Sequence, residues 1–187
     1  MGKAIICDID GTLSNIDHRS HFVKKMLLKY PCGSQKTEIA LIECGNKIVD
    51  SCKICFADLK YTKPDWKSFT KEMVNDTPNF WCVSLIQHCK TESYSELALD
   101  VIYVTEREEC HRILTECQIN RWVGGDYELF MRPTKDYRSD VEIKEEIYNN
   151  EIKDKYDVLF AIDDRQTCVD LWRSLGITCL QCADGNF

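Results

Sequence analysis

Hydrophobic positions along this chain fall in short unbroken runs separated by amphipathic stretches. The first run, Ala4 to Cys7, lacks the polar alternation of a half-exposed strand and predicts a strand buried on both faces of a parallel sheet. Four further runs read as strands: Leu97–Thr105, Tyr127–Arg132, Asp157–Asp164 and Ile177–Cys182. Between them, helical periodicity predicts helices over roughly 81–90, 107–117, 141–152 and 166–175. Strands alternating with helices make parallel βαβ units, so the expected fold class is α/β: a doubly wound, Rossmann-like parallel sheet flanked by helices. In such sheets chemistry gathers at the carboxyl ends of the strands.

The alternation breaks between Ser14 and Pro78. This stretch holds Pro31-Cys32-Gly33, Glu43-Cys44-Gly45-Asn46, Cys52-Lys53-Ile54-Cys55 and Lys63-Pro64-Asp65-Trp66, with no clear long strand. It reads as a cap insertion over the strand ends, cysteine-rich over about 30–60, inside one domain spanning 1–187. No repeat, low-complexity tract or Pro/Ser-rich linker marks a second independent domain.

A composition of 44% hydrophobic and 29% charged residues is globular. The formal charge of -7 argues against a broad electropositive footprint for long duplex nucleic acid. It leaves room for a small substrate or a strand end, since a metal and a few arginines hold one phosphate. No apolar run approaches the roughly 20 residues of a bilayer span. The chain enters a predicted strand at once, without a visible signal or transit peptide, so a cytoplasmic protein with no membrane partner is expected. In that setting twelve cysteines point to reduced thiols or a metal site rather than a disulfide framework.

Three predicted strands end in reactive groups: Asp8 and Asp10, Thr105, and Asp163 with Asp164. Gly11 lets the chain turn after the first strand and bring backbone N–H groups close to an anion. Two carboxylates at strand one, a hydroxyl at strand two, a lysine and an acidic pair at strand four are the parts that phosphoryl transfer from a monoester needs. A carboxylate nucleophile divides the displacement into two steps. A second carboxylate protonates the leaving oxygen and then activates water. Cationic groups and Mg²⁺ hold the nonbridging oxygens, and further acidic residues complete the oxygen set of the metal.

With these residues in place the chain resembles the haloacid dehalogenase (HAD) superfamily of phosphatases, whose four motifs are matched by Asp8-Ile9-Asp10-Gly11-Thr12, Thr105, Lys144 and Asp163-Asp164. More narrowly, it is similar to the 3′-phosphatase domain of bacteriophage polynucleotide kinase–phosphatase. The matching segments are Met131-Arg132-Pro133, Asp136-Tyr137-Arg138, Asp140 to Tyr148, Ala161 to Arg165, Trp172 to Gly176 and Ala183 to Phe187. The similarity covers the first ~20 residues and nearly everything after Lys63, with motifs in the family's order and spacing. It implies that Asp8 is the nucleophile and Asp10 the general acid/base, and that Thr105 and Lys144 contact the transferring phosphoryl group. It further implies that Asp8, Asp10 through its carbonyl, and Asp163 hold Mg²⁺, with Asp164 supporting them. Arg19, Arg107 and Asp140 match further functional positions, and Arg132 and Arg138 are weaker candidates for substrate contact, a solvated face being their bland reading. Asp140 stands four residues before Lys144, so it either orients the lysine across one turn or caps the helix.

Two departures from the family pattern stand out. Thr105-Glu106-Arg107 replaces the usual hydroxyl-Gly-Arg; a Glu106 pointing inward would oppose substrate or pair with Arg107, and one pointing outward would cost little. No G-x-x-x-x-G-K-[ST] loop occurs, so a kinase half is missing. The insertion adds Cys32, Cys44, Cys52 and Cys55, which read either as a structural zinc site or as reduced cysteines packed as small hydrophobes.

The expected function is therefore a Mg²⁺-dependent phosphomonoesterase acting through an aspartyl-phosphate intermediate on 3′-terminal phosphates of nucleic-acid ends. The alternatives are a nucleotide or small-metabolite phosphatase and, in another class, a catalytically idle HAD-fold binding module.

Overall fold

The computed structural model describes residues 1–23, 64–90 and 99–185 in full, and the backbone of residue 91 and of the strands at 27–29, 39–44, 47–52 and 60–61. The chain divides into two units, Met1–His18 with Met73–Asn186, and Arg19–Glu72 with Phe187.

The larger unit is built on a five-stranded parallel sheet of β1 (Gly2–Cys7), β8 (Asp100–Glu108), β9 (Glu128–Arg132), β10 (Tyr156–Asp163) and β11 (Cys179–Gln181). Side by side they run in the order β11-β10-β1-β8-β9. The chain starts at the middle strand, moves to one side through β8 and β9, then crosses back to place β10 on the other side of β1. The carboxyl ends of β1 and β10 therefore flank a topological switch point, where loops leave in opposite directions and open a crevice.

Burial explains why β1 carries no polar residue from Ala4 to Cys7. Ile5, Cys7 and Ile9 face one core with Cys82, Val83 and Ile86 of α3 (Phe80–Thr91) and Ile119 of α4 (Arg112–Trp122). Ala4 and Ile6 face the other core, with Val169 and Trp172 of α6 (Gln166–Ser174) and Ile152. The period of two along the strand sends successive side chains to opposite apolar layers. Truncating Ile6, 1% exposed, to alanine would cost about 2–5 kcal/mol.

The predicted elements meet the structure with two shifts. Helix α4 starts at Arg112, not near Arg107, because β8 runs on to Glu108 past an irregularity between Thr105 and Glu108. Arg107 thus stays at the carboxyl end of β8, with its side chain buried. The helix expected over 141–152 is α5 (Asp140–Ile147) followed by a π-helical turn, Tyr148–Ile152. Its cap is Ser139, not Asp140: the Ser139 hydroxyl accepts from the Glu142 N–H and the Glu142 carboxylate accepts from the Ser139 N–H.

In the smaller unit, β4 (Ile39–Cys44) and β5 (Lys47–Cys52) pair antiparallel over six residues each, where no long strand was expected. Its register gives the four-cysteine zinc site no support. Cys44 pairs with Lys47 at one end of the ladder and Cys52 with Ile39 at the other, so their Cα atoms are about 17 Å apart at the usual rise per residue. Thiolates that share a zinc lie within about 4 Å of each other. Cys32 and Cys55 lie outside the described residues. Elsewhere in this unit, Asp65 caps α2 (Trp66–Lys71) by accepting from the Ser68 N–H at 3.0 Å, and Phe69 is buried.

Candidate active site

Everything placed at the switch point follows from where β1 and β10 stop. After Cys7 the chain turns sharply: Ser14 N–H donates to the Ile9 carbonyl at 2.8 Å and Gly11 N–H to the Ser14 carbonyl at 2.9 Å. Gly11 has φ +88°, and a Cβ there would lie 2.2 Å from Asp164 Oδ2. Only glycine both adopts this conformation and admits the neighbouring carboxylate so close. Asn79 braces the turn from outside, its Nδ2 donating to the Thr12 carbonyl at 2.8 Å.

Asp8, Asp163 and Asp164 thereby present carboxylate oxygens within 4.8 Å of one another, and all three are buried. Lys144, carried in on α5 and 1% exposed, bridges two of them, its Nζ donating to Asp8 Oδ1 at 2.7 Å and to Asp163 Oδ2 at 2.8 Å. Trp172 Nε1 adds a second donor to Asp163 Oδ2 at 3.0 Å, and the Arg165 N–H reaches Asp163 Oδ1 at 3.2 Å. Asp8 Oδ2 is buried with no hydrogen-bond partner among the described residues. A buried, unpaired carboxylate oxygen is costly, so its presence marks a place where a ligand, a cation or a reacting atom belongs.

The electrostatics agree. Burial, with Asp163, Glu106 and Asp164 adding to it against Lys144, raises the Asp8 carboxyl well above its usual range. Burial, followed by Glu106 and Asp163, pushes Asp164 up to about 7. Burial alone would pull Lys144 down, but Asp163 and Asp8 outweigh it and hold the ammonium charged. One ammonium thus faces three carboxylates, and the donor set is all oxygen, the set that suits a hard divalent cation such as Mg²⁺.

Asp10 sits in a second, closed network. Arg107, 4% exposed, has five N–H groups and five acceptor contacts. Nε and Nη2 donate to Asp10 Oδ1 at 2.9 and 2.5 Å, and Nη2 also to Asp76 Oδ2 at 2.7 Å. Nη1 donates to Gln118 Oε1 at 2.6 Å and to Thr115 Oγ1 at 3.5 Å. Asp76 Oδ2 further accepts from Ser14 Oγ at 3.0 Å. Asp76 and Gln118 were not anticipated from sequence, because their partners lie far away in the chain and no spacing encodes the meeting.

The remaining candidates divide by location. Thr105 is fully buried, and its Oγ1 accepts from the Arg107 N–H at 3.2 Å. Glu106 points toward the cluster: its carboxylate is 3.9 Å from Lys144 Nζ and 4.0 Å from Arg165 Nη2. It does not pair with Arg107, whose acceptors are those already named. Asp140 does not orient Lys144 directly, since its two oxygens accept from Arg132 Nη2 and Arg165 Nη1. Arg132 clamps backbone as well, donating to the carbonyls of Glu106 at 3.0 Å, Asp136 at 3.1 Å and Arg138 at 2.6 Å. Arg138 pairs with Asp136 and Glu146 at the surface. Arg19 belongs to the smaller unit, where its guanidinium carbon lies 4.1 Å over the Phe69 ring. No helix among the described residues is long and apolar enough to cross a membrane.

Similarity to known proteins points the same way as the geometry. The profile of the polynucleotide kinase PNKP phosphatase domain family matches residues 65–187. A protein of Autographa californica nuclear polyhedrosis virus, described as a bifunctional polynucleotide kinase/RNA ligase, is 43% identical over 51 residues, 27% of this chain and 7% of its own length. A chain of a Pnkp1/Rnl/Hen1 complex matches all of this chain at 28% identity and a TM-score of 0.65, over 48% of its own length. A chain of the Pnkp1/Rnl/Hen1 RNA repair complex does so at 26% identity and a TM-score of 0.66, over 44% of its length. This chain therefore spans less than half the length of these relatives. With its parallel sheet and its matched profile, the chain belongs to the PNKP phosphatase domain family, that is, to the HAD-type phosphatases.

Proposed function

We propose that this protein is a Mg²⁺-dependent polynucleotide 3′-phosphatase that works through a phosphorylated Asp8. The observation that carries this reading is the meeting of Asp8, Asp163, Asp164 and Lys144 at the switch point, with Asp8 Oδ2 unpartnered among the described residues. Asp8 attacks phosphorus, the ester P–O bond breaks, and the leaving sugar oxygen takes a proton from the Asp10 carboxyl. Asp10, now a carboxylate, removes a proton from water, which attacks the aspartyl phosphate. The P–O bond to Asp8 breaks, releasing inorganic phosphate and restoring both groups.

Lys144 and the Thr105 hydroxyl face the nonbridging oxygens, where charge grows in transit. Arg107 fixes the position of Asp10, and Asp76 and Gln118 fix Arg107. Asp8, Asp163 and Asp164, with the Asp10 carbonyl, would hold Mg²⁺, which would neutralise the phosphoryl group and the crowded carboxylates. A 3′-hydroxyl end is the form a polynucleotide ligase consumes, so the reaction fits end repair ahead of sealing.

The test is release of inorganic phosphate from a substrate panel with and without Mg²⁺. A 3′-phosphorylated oligonucleotide is expected to be preferred over its 5′-phosphorylated counterpart and over 3′- and 5′-mononucleotides. Equal rates across the panel would place the substrate among small phosphate esters instead.

A further inference from the structure

Among the large apolar and aromatic side chains described as exposed, Tyr137 is the most exposed, at 87%. Its loop is nevertheless held at nearly every neighbouring position. Arg132 Nη1 binds the carbonyls immediately before and after it, those of Asp136 and Arg138. The Asp136 carboxylate accepts from the Arg138 N–H at 3.0 Å and from its guanidinium, and the Asp136 N–H closes a turn onto the Pro133 carbonyl at 3.1 Å. The Lys135 N–H donates to Glu108 at 2.9 Å, and Thr134 Oγ1 accepts from the Cys110 N–H at 3.1 Å. With both flanking carbonyls drawn to one guanidinium, the ring is displayed outward on a fixed base.

The same guanidinium ties this display to the site. Arg132 Nη2 binds Asp140 Oδ1, and the other oxygen of Asp140 accepts from Arg165, the residue after Asp164. The loop follows β9, so it lies at the carboxyl end of the sheet, the end at which Asp8 and Asp163 stand. Lys135 stands two residues before the ring in a chain of net charge -7, while the charge of Arg138 is met by Asp136 and Glu146.

We propose that Tyr137 is a stacking platform for a nucleobase near the phosphorylated end of a single-stranded substrate. This inference rests on the phosphatase reading above. Unpaired bases stack on exposed aromatic rings regardless of sequence, and a ring fixed before binding loses little freedom when a base settles on it. The platform gives a small acidic domain a means of preferring strand ends over simple phosphate esters.

The experiment compares wild type, Tyr137→Ala and Tyr137→Trp on a 3′-phosphorylated tetranucleotide and on p-nitrophenyl phosphate, which has no base. Tyr137→Ala is expected to raise KM for the tetranucleotide about tenfold, with kcat little changed and p-nitrophenyl phosphate kinetics intact. Tyr137→Trp is expected to restore the wild-type KM. An unchanged tetranucleotide KM, or a parallel loss on both substrates, would overturn the proposal. A second arm reads binding without turnover, in the Asp8→Asn background, from the fluorescence of a tetranucleotide carrying 2-aminopurine next to its terminal phosphate. Quenching on binding that disappears with Tyr137→Ala supports stacking, and quenching that persists, or never occurs, contradicts it. Should wild type fail to dephosphorylate any substrate, the phosphatase reading falls while this second arm still decides the role of Tyr137.

Discussion

Around Arg107, two buried carboxylates meet one guanidinium whose five N–H groups all find acceptors. Around Lys144, three buried carboxylates meet one ammonium, and an oxygen of Asp8 finds no hydrogen-bond partner among the described residues. Both clusters are buried in the same unit, so solvent does not explain the difference. The first is closed by the protein's own atoms, which suits a framework that fixes Asp10. The second sets a single positive charge against three carboxylates, which suits a place reserved for a divalent cation and an incoming phosphoryl group.

The sharpest break in that contrast is Asp8→Asn. It removes the nucleophile while relieving repulsion in the open cluster, so turnover is expected to fall by at least about 10³-fold with no loss of thermal stability. Steady-state phosphate release and a melting curve on the same sample check both halves. Arg107→Ala attacks the closed cluster instead. It removes the guanidinium that pairs with the buried carboxylates of Asp10 and Asp76, and a loss of about 3–5 kcal/mol in urea unfolding is expected. Arg107→Lys recovers only part of this, because an ammonium has three N–H groups and cannot reproduce the five contacts of the planar guanidinium fork.

Adding Mg²⁺ should reveal the missing charge directly. At a hundredfold excess over its Kd the ion is expected to stabilise wild type by about 2.7 kcal/mol, read as a rise in Tm. In Asp163→Asn the rise should shrink or vanish. The smallest effect belongs to Glu106→Gln, which removes one negative charge 3.9 Å from Lys144 Nζ. Inorganic phosphate is expected to bind roughly two- to tenfold tighter to this variant, measured by calorimetry.

The contrast also separates what the sequence could reveal from what it could not. Buried parallel strands are legible because their apolar runs are continuous, and Asp8 and Asp163 stand where two of those runs end. The start of α4 was misplaced because Arg107 lies in an apolar–charged pattern that a helix would share, while β8 in fact extends beyond it. The β4–β5 hairpin left a readable trace, Gly45-Asn46 between two apolar runs, which the cysteines around it obscured. The open cluster is visible in sequence because its carboxylates sit at strand termini. The closed one is not: Asp76 and Gln118 reach Arg107 from a loop and a helix face, and Asp140 turned from Lys144 toward Arg132 and Arg165. Long-range pairing of polar side chains has no period to detect.

The central claim is that the uncommitted oxygen of Asp8 becomes phosphorylated, and trapping the intermediate tests it most directly. Wild type turning over a 3′-phosphorylated oligonucleotide in Mg²⁺ would be quenched in acid, reduced with tritiated borohydride and mapped by peptide. An aspartyl phosphate predicts tritium at residue 8, absent without Mg²⁺ and absent in Asp8→Asn. Full turnover with no label at residue 8, or label on Asp10 instead, would contradict the account.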